Sequence, residues 1–234
     1  MASPNAPRKR VGAVIVAAGE SRRMGGVDKI FTPLLGVPLI LHPLRVFNDS
    51  PLVDEIALVV APARVEEARR LVSERSLSKV RAVCAGGARR QDSVRVGLEA
   101  LSRCDWVLVH DGARCCVSPT LIEAGLEAVR ESGAAIAAVP VVDTVKVVAE
   151  QRVHSTLDRS SLWAVQTPQV FRTELLLEAH RRRQDLVTDD AAMVEQMGVP
   201  VRVFMGSYDN LKVTTPEDLL LAEAILRARA VQRR

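Results

Sequence analysis

The chain has 234 residues, 48% hydrophobic and 26% charged, which is a globular composition long enough for one large α/β domain. Lys and Arg total 32 against 28 Asp and Glu, for a net charge of +4, but the basic residues fall in short runs and aromatics make up only 3%. A nucleic-acid-binding protein needs a continuous basic face and often aromatic stacking platforms, so that class is set aside, and nucleic acid is not an expected partner.

Residues 1–10 are polar and basic with no apolar centre, and are expected to form a disordered tail rather than a signal peptide. No apolar run has membrane-spanning length, so a cytoplasmic protein with no membrane partner is expected, with residues 11–234 as a single domain. Cys84, Cys104, Cys115 and Cys116 have neither metal-ligand spacing nor a disulfide framework, which points to free thiols.

Residues 14–16 (Val, Ile, Val) read as a buried parallel strand. The strand ends in Ala17-Ala18-Gly19 and runs into a polar loop with Arg22, Arg23 and Lys29. Helical spacing follows over 38–47, where Pro43 is expected to kink or shorten the helix. Strands are predicted at 55–60, 80–84, 106–109 and 134–140, alternating with helices at 62–74, 92–101 and 119–131. The third strand ends in Ala85-Gly86-Gly87, and the fourth runs into His110-Asp111-Gly112-Ala113-Arg114. Such alternation predicts a three-layer, Rossmann-like α/β fold with a mostly parallel sheet, its binding loops at the carboxyl ends of the strands.

The pattern changes over residues 141–169, where short β-prone pieces (145–148, 153–156, 163–165) alternate with polar breaks. This predicts a protruding β-arm whose edges a partner covers in a homodimer; the other reading is a hairpin folded onto its own domain. Helices are then expected at 173–183 and 189–197, a strand at 201–204, and a closing helix at 216–231 with Leu219, Leu220, Ala224 and Leu226 or their neighbours on its apolar face.

No Ser–His–Asp or Cys–His arrangement is legible. What recurs is basic residues and glycine at strand ends, with one carboxylate, Asp111. Nucleotidyl transfer uses such parts, because its in-line displacement at phosphorus places negative charge on phosphate oxygens. A carboxylate such as Asp111 holds Mg2+ or another hard divalent cation while phosphates and water complete the shell. An attacking phosphate is already ionised and needs no general base.

The segments VIVAAGESRRM with Lys29, AGGARRQDSVRVGL, HDGARC, VVDTVK, LDRSSLWAVQTPQVF, TDDAAMVE and DNLKVTTPEDLLLAE follow one another along most of the chain. In that order and spacing the sequence resembles the 2-C-methyl-D-erythritol 4-phosphate cytidylyltransferase family, which joins CTP to a sugar-alcohol phosphate and releases pyrophosphate. The resemblance implies that Ala17, Ala18 and Gly19 line the triphosphate, and that Arg23 and Lys29 stabilise the pentacoordinate phosphorus. It places Gly87, Arg90 and Ser93 at the cytosine and ribose, and Asp111 at the ribose or magnesium. Ala113, Arg114, Asp143, Thr144, Thr167 and Thr188 would border the methylerythritol phosphate, with Arg159 contributed in trans by the second subunit's arm. Lys212 would position the attacking phosphate. Ser21, Ile30 and Cys115 depart from the family's common pattern.

The same residues have plainer readings. Arg90 and Asp92 can start and cap a helix, Thr188-Asp189 can form a helix N-terminus, and Asp143-Thr144 can be a turn. Arg159 and Lys212 can be surface cations. Two other functions share the nucleotide half: a ribitol-5-phosphate cytidylyltransferase, and a catalytically silent CTP-binding protein.

Overall fold

The computed structural model describes residues 8–19, 29–101, 103–182 and 187–232. Arg23, with most of its loop, and the expected helix end at residue 183 lie outside the described residues. The first half of the chain comprises β1 (Val11–Ala17), β2 (Pro33–Leu34), β3 (Val37–Pro38), α1 (Leu41–Asp49), β4 (Glu55–Val60), α2 (Val65–Glu74), β5 (Val80–Ala85) and α3 (Arg90–Ala100). The second half continues with β6 (Trp106–Asp111), α4 (Pro119–Ser132), β7 (Ala134–Pro140), β8 (Lys146–Ala149), β9 (Arg152–Thr156), β10 (Trp163–Arg172), α5 (Thr173–Arg182), α6 (Asp190–Glu195), β11 (Arg202–Met205) and α7 (Pro216–Gln232).

Seven strands form the central sheet in the order β11-β7-β10-β6-β1-β4-β5. All neighbours are parallel except β10, which runs antiparallel to both β6 and β7. β1 lies between β4 and β6 and is buried on both faces, which accounts for its unalternating apolar run. Ala13, Ile15 and Ala17 pack into the core that includes Leu44, Ala68 and Ile122 of α1, α2 and α4; Val14 faces the opposite core with Val94, Leu176 and Met193 of α3, α5 and α6. The sheet is therefore covered by helices on both sides. α3 lies flush on β1 through Gly97, where an added Cβ would come within 2.4 Å of Val14 Cγ1.

Several elements differ from the sequence pattern. Pro43 falls in the first turn of α1, because the helix begins only at Leu41, and so it breaks no interior hydrogen bond. Residues 163–165 are the start of the ten-residue strand β10, which belongs to the central sheet rather than to the arm. Pro168 disguised this strand: the ladder shifts register between Val165 and Gln169, and residues 166–168 bulge out of it. The β8–β9 hairpin is the exposed part of the expected arm, and its two-residue loop places Glu150 and Gln151 at φ 49° and 61°. The inner face of α7 carries Leu219, Ala222, Ile225 and Leu226, whereas Leu220 and Ala224 of the expected stripe face outward. Of residues 1–10, only 8–10 are described, and they are docked: Arg8 pairs with Asp54, and the Arg10 main-chain N–H donates to Asp105 Oδ2 at 2.7 Å.

All four cysteines are free thiols. Cys104 is buried and donates to Glu55 Oε1 at 2.9 Å; burial first, then this carboxylate, pushes its thiol up to about 12. The unfolded thiol ionises near its ordinary value of about 8.5, so above that pH the folded state binds the extra proton and stability falls as pH rises. Between about pH 9 and pH 11 the native protein should lose on the order of 1–3 kcal/mol more stability than Cys104→Ala, read from denaturant unfolding at each pH. Equal losses in both proteins would show that this thiol is not the source.

Candidate active site

Three strand ends converge at one edge of the sheet. β1 delivers Ala17-Ala18-Gly19, β5 runs into Gly86-Gly87, and β6 ends on Asp111, whose Cα registers with Val16. Here the strand order reverses: the chain runs from β1 to β4 and β5 on one side and then crosses back through α3 to β6 on the other, so a crevice opens. It holds a cavity of about 700 Å³ whose lining includes Lys29, Arg90, Asp111 and Lys212.

Close backbone packing shapes its floor. A Cβ on Gly86 would lie 2.2 Å from the Ala18 Cβ and 2.8 Å from Ser93 Oγ, so only glycine lets this loop lie against the end of β1. Ser93 Oγ accepts from the Gly87 N–H at 3.1 Å and donates to the Arg89 carbonyl at 3.3 Å, tying the loop to the first turn of α3. Asp92 accepts from the Arg89 main-chain N–H at 3.2 Å and from its guanidinium, so the helix-start reading holds for Asp92.

Charge organises the wall. Arg90 donates from Nε to Asp111 Oδ1 at 3.1 Å and from Nη1 to Asp190 Oδ2 at 2.6 Å, while Lys212 Nζ donates to Asp111 Oδ2 at 2.7 Å. Burial alone would raise the Asp111 carboxyl, but Arg90 and then Lys212 beside it more than offset this and hold it well below the usual carboxylate range. Burial would likewise discharge Arg90, and Asp190 and Asp111 reverse that and keep it cationic.

Behind Asp111 stands a neutral support. Thr167 Oγ1 accepts from the Asp111 main-chain N–H at 3.0 Å and lies 3.1 Å from His110 Nδ1; His110 Nε2 lies 3.2 Å from the Arg114 carbonyl. A carbonyl only accepts, so Nε2 carries the proton and Nδ1 accepts from the Thr167 hydroxyl. Burial lowers His110 to about 4, which agrees with a neutral ring. The next loop is anchored in the same way. Asn210 is fully buried and donates from Nδ2 to the Thr167 carbonyl at 2.8 Å and to Gln166 Oε1 at 3.1 Å, while Arg114 Nη1 donates to the Asn210 carbonyl at 2.8 Å. These bonds fix the backbone that presents Lys212.

Ten of the residues singled out by sequence line this one cavity: Ala17, Ala18, Gly19, Lys29, Gly87, Arg90, Ser93, Asp111, Ala113 and Lys212. Arg90 Nε and Nη1 and the Ser93 hydroxyl are bonded to protein partners, so these groups shape and charge the cavity wall. Thr167 and Arg114 stand immediately behind the wall. Asp143, Thr144, Arg159 and Thr188 are exposed and outside the lining, and the Arg159 guanidinium donates to the Val142 carbonyl at the base of the arm. Sequence reasoning missed Asp190, Asn210 and His110 as site-supporting residues, although each sits inside a motif it had quoted.

A model of the 2-C-methyl-D-erythritol 4-phosphate cytidylyltransferase family matches residues 11–228. The chain belongs to that family. Its similarity to the enzyme of that name from Dehalococcoides mccartyi is 54% identity over 220 residues, covering 94% of this chain and 97% of the relative. Among solved structures, the 2-C-methyl-D-erythritol 4-phosphate cytidylyltransferase of Thermus thermophilus superposes with a TM-score of 0.77 at 36% identity, covering 92% of this chain and 98% of that one. The 4-diphosphocytidyl-2C-methyl-D-erythritol synthase of Anaerococcus prevotii gives 0.81 at 29% identity, with 94% and 99% covered. Membership of this nucleotidyltransferase family accords with the layout, a cavity with cationic lining at the carboxyl ends of a mostly parallel sheet.

The contact at Gly86 gives a direct test of the cavity floor. Gly86→Ala should cost about 1–3 kcal/mol in unfolding free energy through overpacking against Ala18. Gly19→Ala, where nothing lies within 4 Å of the added carbon, should cost less than about 1 kcal/mol. Similar losses for the two variants would contradict the packing described.

Proposed function

We infer that the protein transfers the cytidylyl group of CTP to 2-C-methyl-D-erythritol 4-phosphate, giving 4-diphosphocytidyl-2-C-methyl-D-erythritol and pyrophosphate in the non-mevalonate isoprenoid pathway. The observation that carries this reading is Asp111 gripped by Arg90 and Lys212 in a cavity also lined by Lys29, within a chain matched by the family over residues 11–228.

The cavity's cations suit a polyphosphate. Lys29 and, from the sequence, Arg23 stabilise charge developing at the attacked phosphorus, and Lys212 orients the incoming phosphate. The attacking oxygen is an ionised phosphate, so no side chain has to remove a proton, and His110, with both ring nitrogens engaged, is a support. Among the described residues no group of three or more His, Cys, Asp or Glu side chains could hold a metal by itself. Asp111 as a single carboxylate nevertheless fits Mg2+, which is commonly held by one or two carboxylates plus substrate phosphates. When bound, the cation supplies Lewis-acid neutralisation of the triphosphate.

The alcohol half of the site comes from the arm. The β8–β9 hairpin is exposed throughout, and Val147, Val148, Val153 and Leu157 present apolar surface along it. Apolar strand surface of this kind is covered by association, which supports a homodimer in which Arg159 reaches the partner's cavity, with Asp143, Thr144 and Thr188 beside it. No helix among the described residues is long and apolar enough to cross a membrane, which accords with a cytoplasmic enzyme.

Pyrophosphate release with CTP should depend on methylerythritol phosphate and be far slower with ribitol 5-phosphate. Turnover with ribitol phosphate alone would reassign the substrate, and CTP binding without turnover on either would make the protein a silent binder. Lys29→Ala should lower kcat by about 100-fold or more. Mixing inactive Lys29→Ala and Arg159→Ala subunits should restore part of the activity, since one of the two sites in a heterodimer would be intact. Mixtures as inactive as their parents would place Arg159 in its own subunit's site.

A further inference from the structure

The adjacent acids Asp189 and Asp190 face opposite ways. Asp189 caps α6, with Oδ1 accepting from the Ala192 N–H at 3.0 Å and Oδ2 from Gln169 Nε2 at 2.8 Å. Asp190 is fully buried, and its Oδ2 takes Arg90 Nη1 at 2.6 Å, a shorter bond than the 3.1 Å from Arg90 Nε to Asp111. Its other oxygen, Oδ1, is buried with no hydrogen-bond partner among the described residues. A carboxylate held in this way is costly to the fold, because the ion pair with Arg90 must offset the loss of water from the whole group. Its cost calls for a reason beyond the structure of α6, whose cap Asp189 already supplies.

Guanidinium and carboxylate groups ordinarily meet fork to fork, two parallel bonds at a time. If Arg90 did so with Asp111, it would occupy both oxygens and compete with Lys212 for Oδ2. The fork is instead divided between two acids, so Asp111 receives a single N–H from Arg90 and keeps Oδ2 on the side of Lys212. We propose that Asp190 is a positioning residue for the reaction: it draws one arm of Arg90 away from Asp111, so that Oδ2 accepts only from Lys212 and has a second lone pair for the cation that accompanies the nucleotide. Asp190 also balances charge. The four side chains Asp190, Arg90, Asp111 and Lys212 sum to zero, and neutralising Asp190 leaves an extra positive charge that disfavours a dication but does not disfavour a triphosphate.

This inference rests on the reading of Asp111 as the carboxylate that meets the cation, and the test separates the two. In the full-length protein with CTP bound, the Mn2+ half-saturation followed by water-proton relaxation should rise about tenfold in Asp190→Asn. CTP binding measured by calorimetry in EDTA should stay within about twofold of the parent. Asp190→Glu should recover most of the Mn2+ affinity, and in an Arg90→Gln background Asp190→Asn should weaken Mn2+ binding much less than it does in the parent. Parallel weakening of Mn2+ and metal-free CTP binding would overturn the proposal, as would an undiminished effect in the Arg90→Gln background. If Asp111→Asn abolishes the Mn2+ signal and Asp190→Asn leaves it unchanged, the inference alone fails. If Asp111→Asn itself leaves the signal unchanged, the reading of Asp111 fails and the inference falls with it.

Discussion

Four side chains of alternating sign, Asp190, Arg90, Asp111 and Lys212, run from beneath α6 to the wall of the cavity. They come from α6, α3, β6 and the loop before α7, segments far apart in the sequence. The attraction is strongest among Asp190, Arg90 and Asp111, where burial removes the water that would screen it and would penalise either acid left alone, while Lys212 closes the row from the exposed side. The elements that carry them must therefore dock together if the charges are to be tolerated at all. Formation of the site and completion of the fold are in this respect one event.

The sheet order makes that docking geometrically possible. β1 sits between β4 and β6, and the chain fills the β4 side before crossing back to β6, so the loops that follow β1 and β6 diverge and leave room for a ligand. Antiparallel β10 then brings a bulge against β6, placing Thr167 behind the Asp111 backbone and Gln166 against Asn210. Asn210 and Arg114 hold the loop that carries Lys212. One irregularity in one strand thus fixes both the carboxylate and a cation that contacts it. The arm departs between β7 and β10, close in the chain to this bulge and so to the wall of the site.

Much of this was legible in the residues. Apolar runs without alternation identified β1, β4, β6 and β7 as buried strands, and small residues after β1 and β5 located the edge where a ligand approaches. Lys29, Asp111 and Lys212 carry charge in loops or at strand ends, where sequence reading is strongest. What was not legible depends on long-range contact. Pro168 made β10 look like fragments of an arm, because a proline interrupts the pattern that a strand inside a sheet normally shows. Nothing local to Arg90 reveals that Asp190, a hundred residues later, takes one arm of its guanidinium. The outward-facing Leu220 and Ala224 were misassigned because α7 is apolar on more than one face, so periodicity could not choose between them.

The division of labour in the cavity follows from the same charge balance. Both oxygens of Asp111 already have cationic partners in the protein, so the wall is balanced before any ligand arrives. Among the described residues this site is not a metal cage: with a single shared carboxylate, a hard cation would be held largely by oxygens of the nucleotide itself. The protein's own investment is in fixed positive charge and in the backbone packing of Gly86 against Ala18, neither of which has to reorganise when the triphosphate enters. That arrangement places the demand for precision on the orientation of Asp111, which is why a buried, half-satisfied acid one layer behind it is worth its cost to the fold.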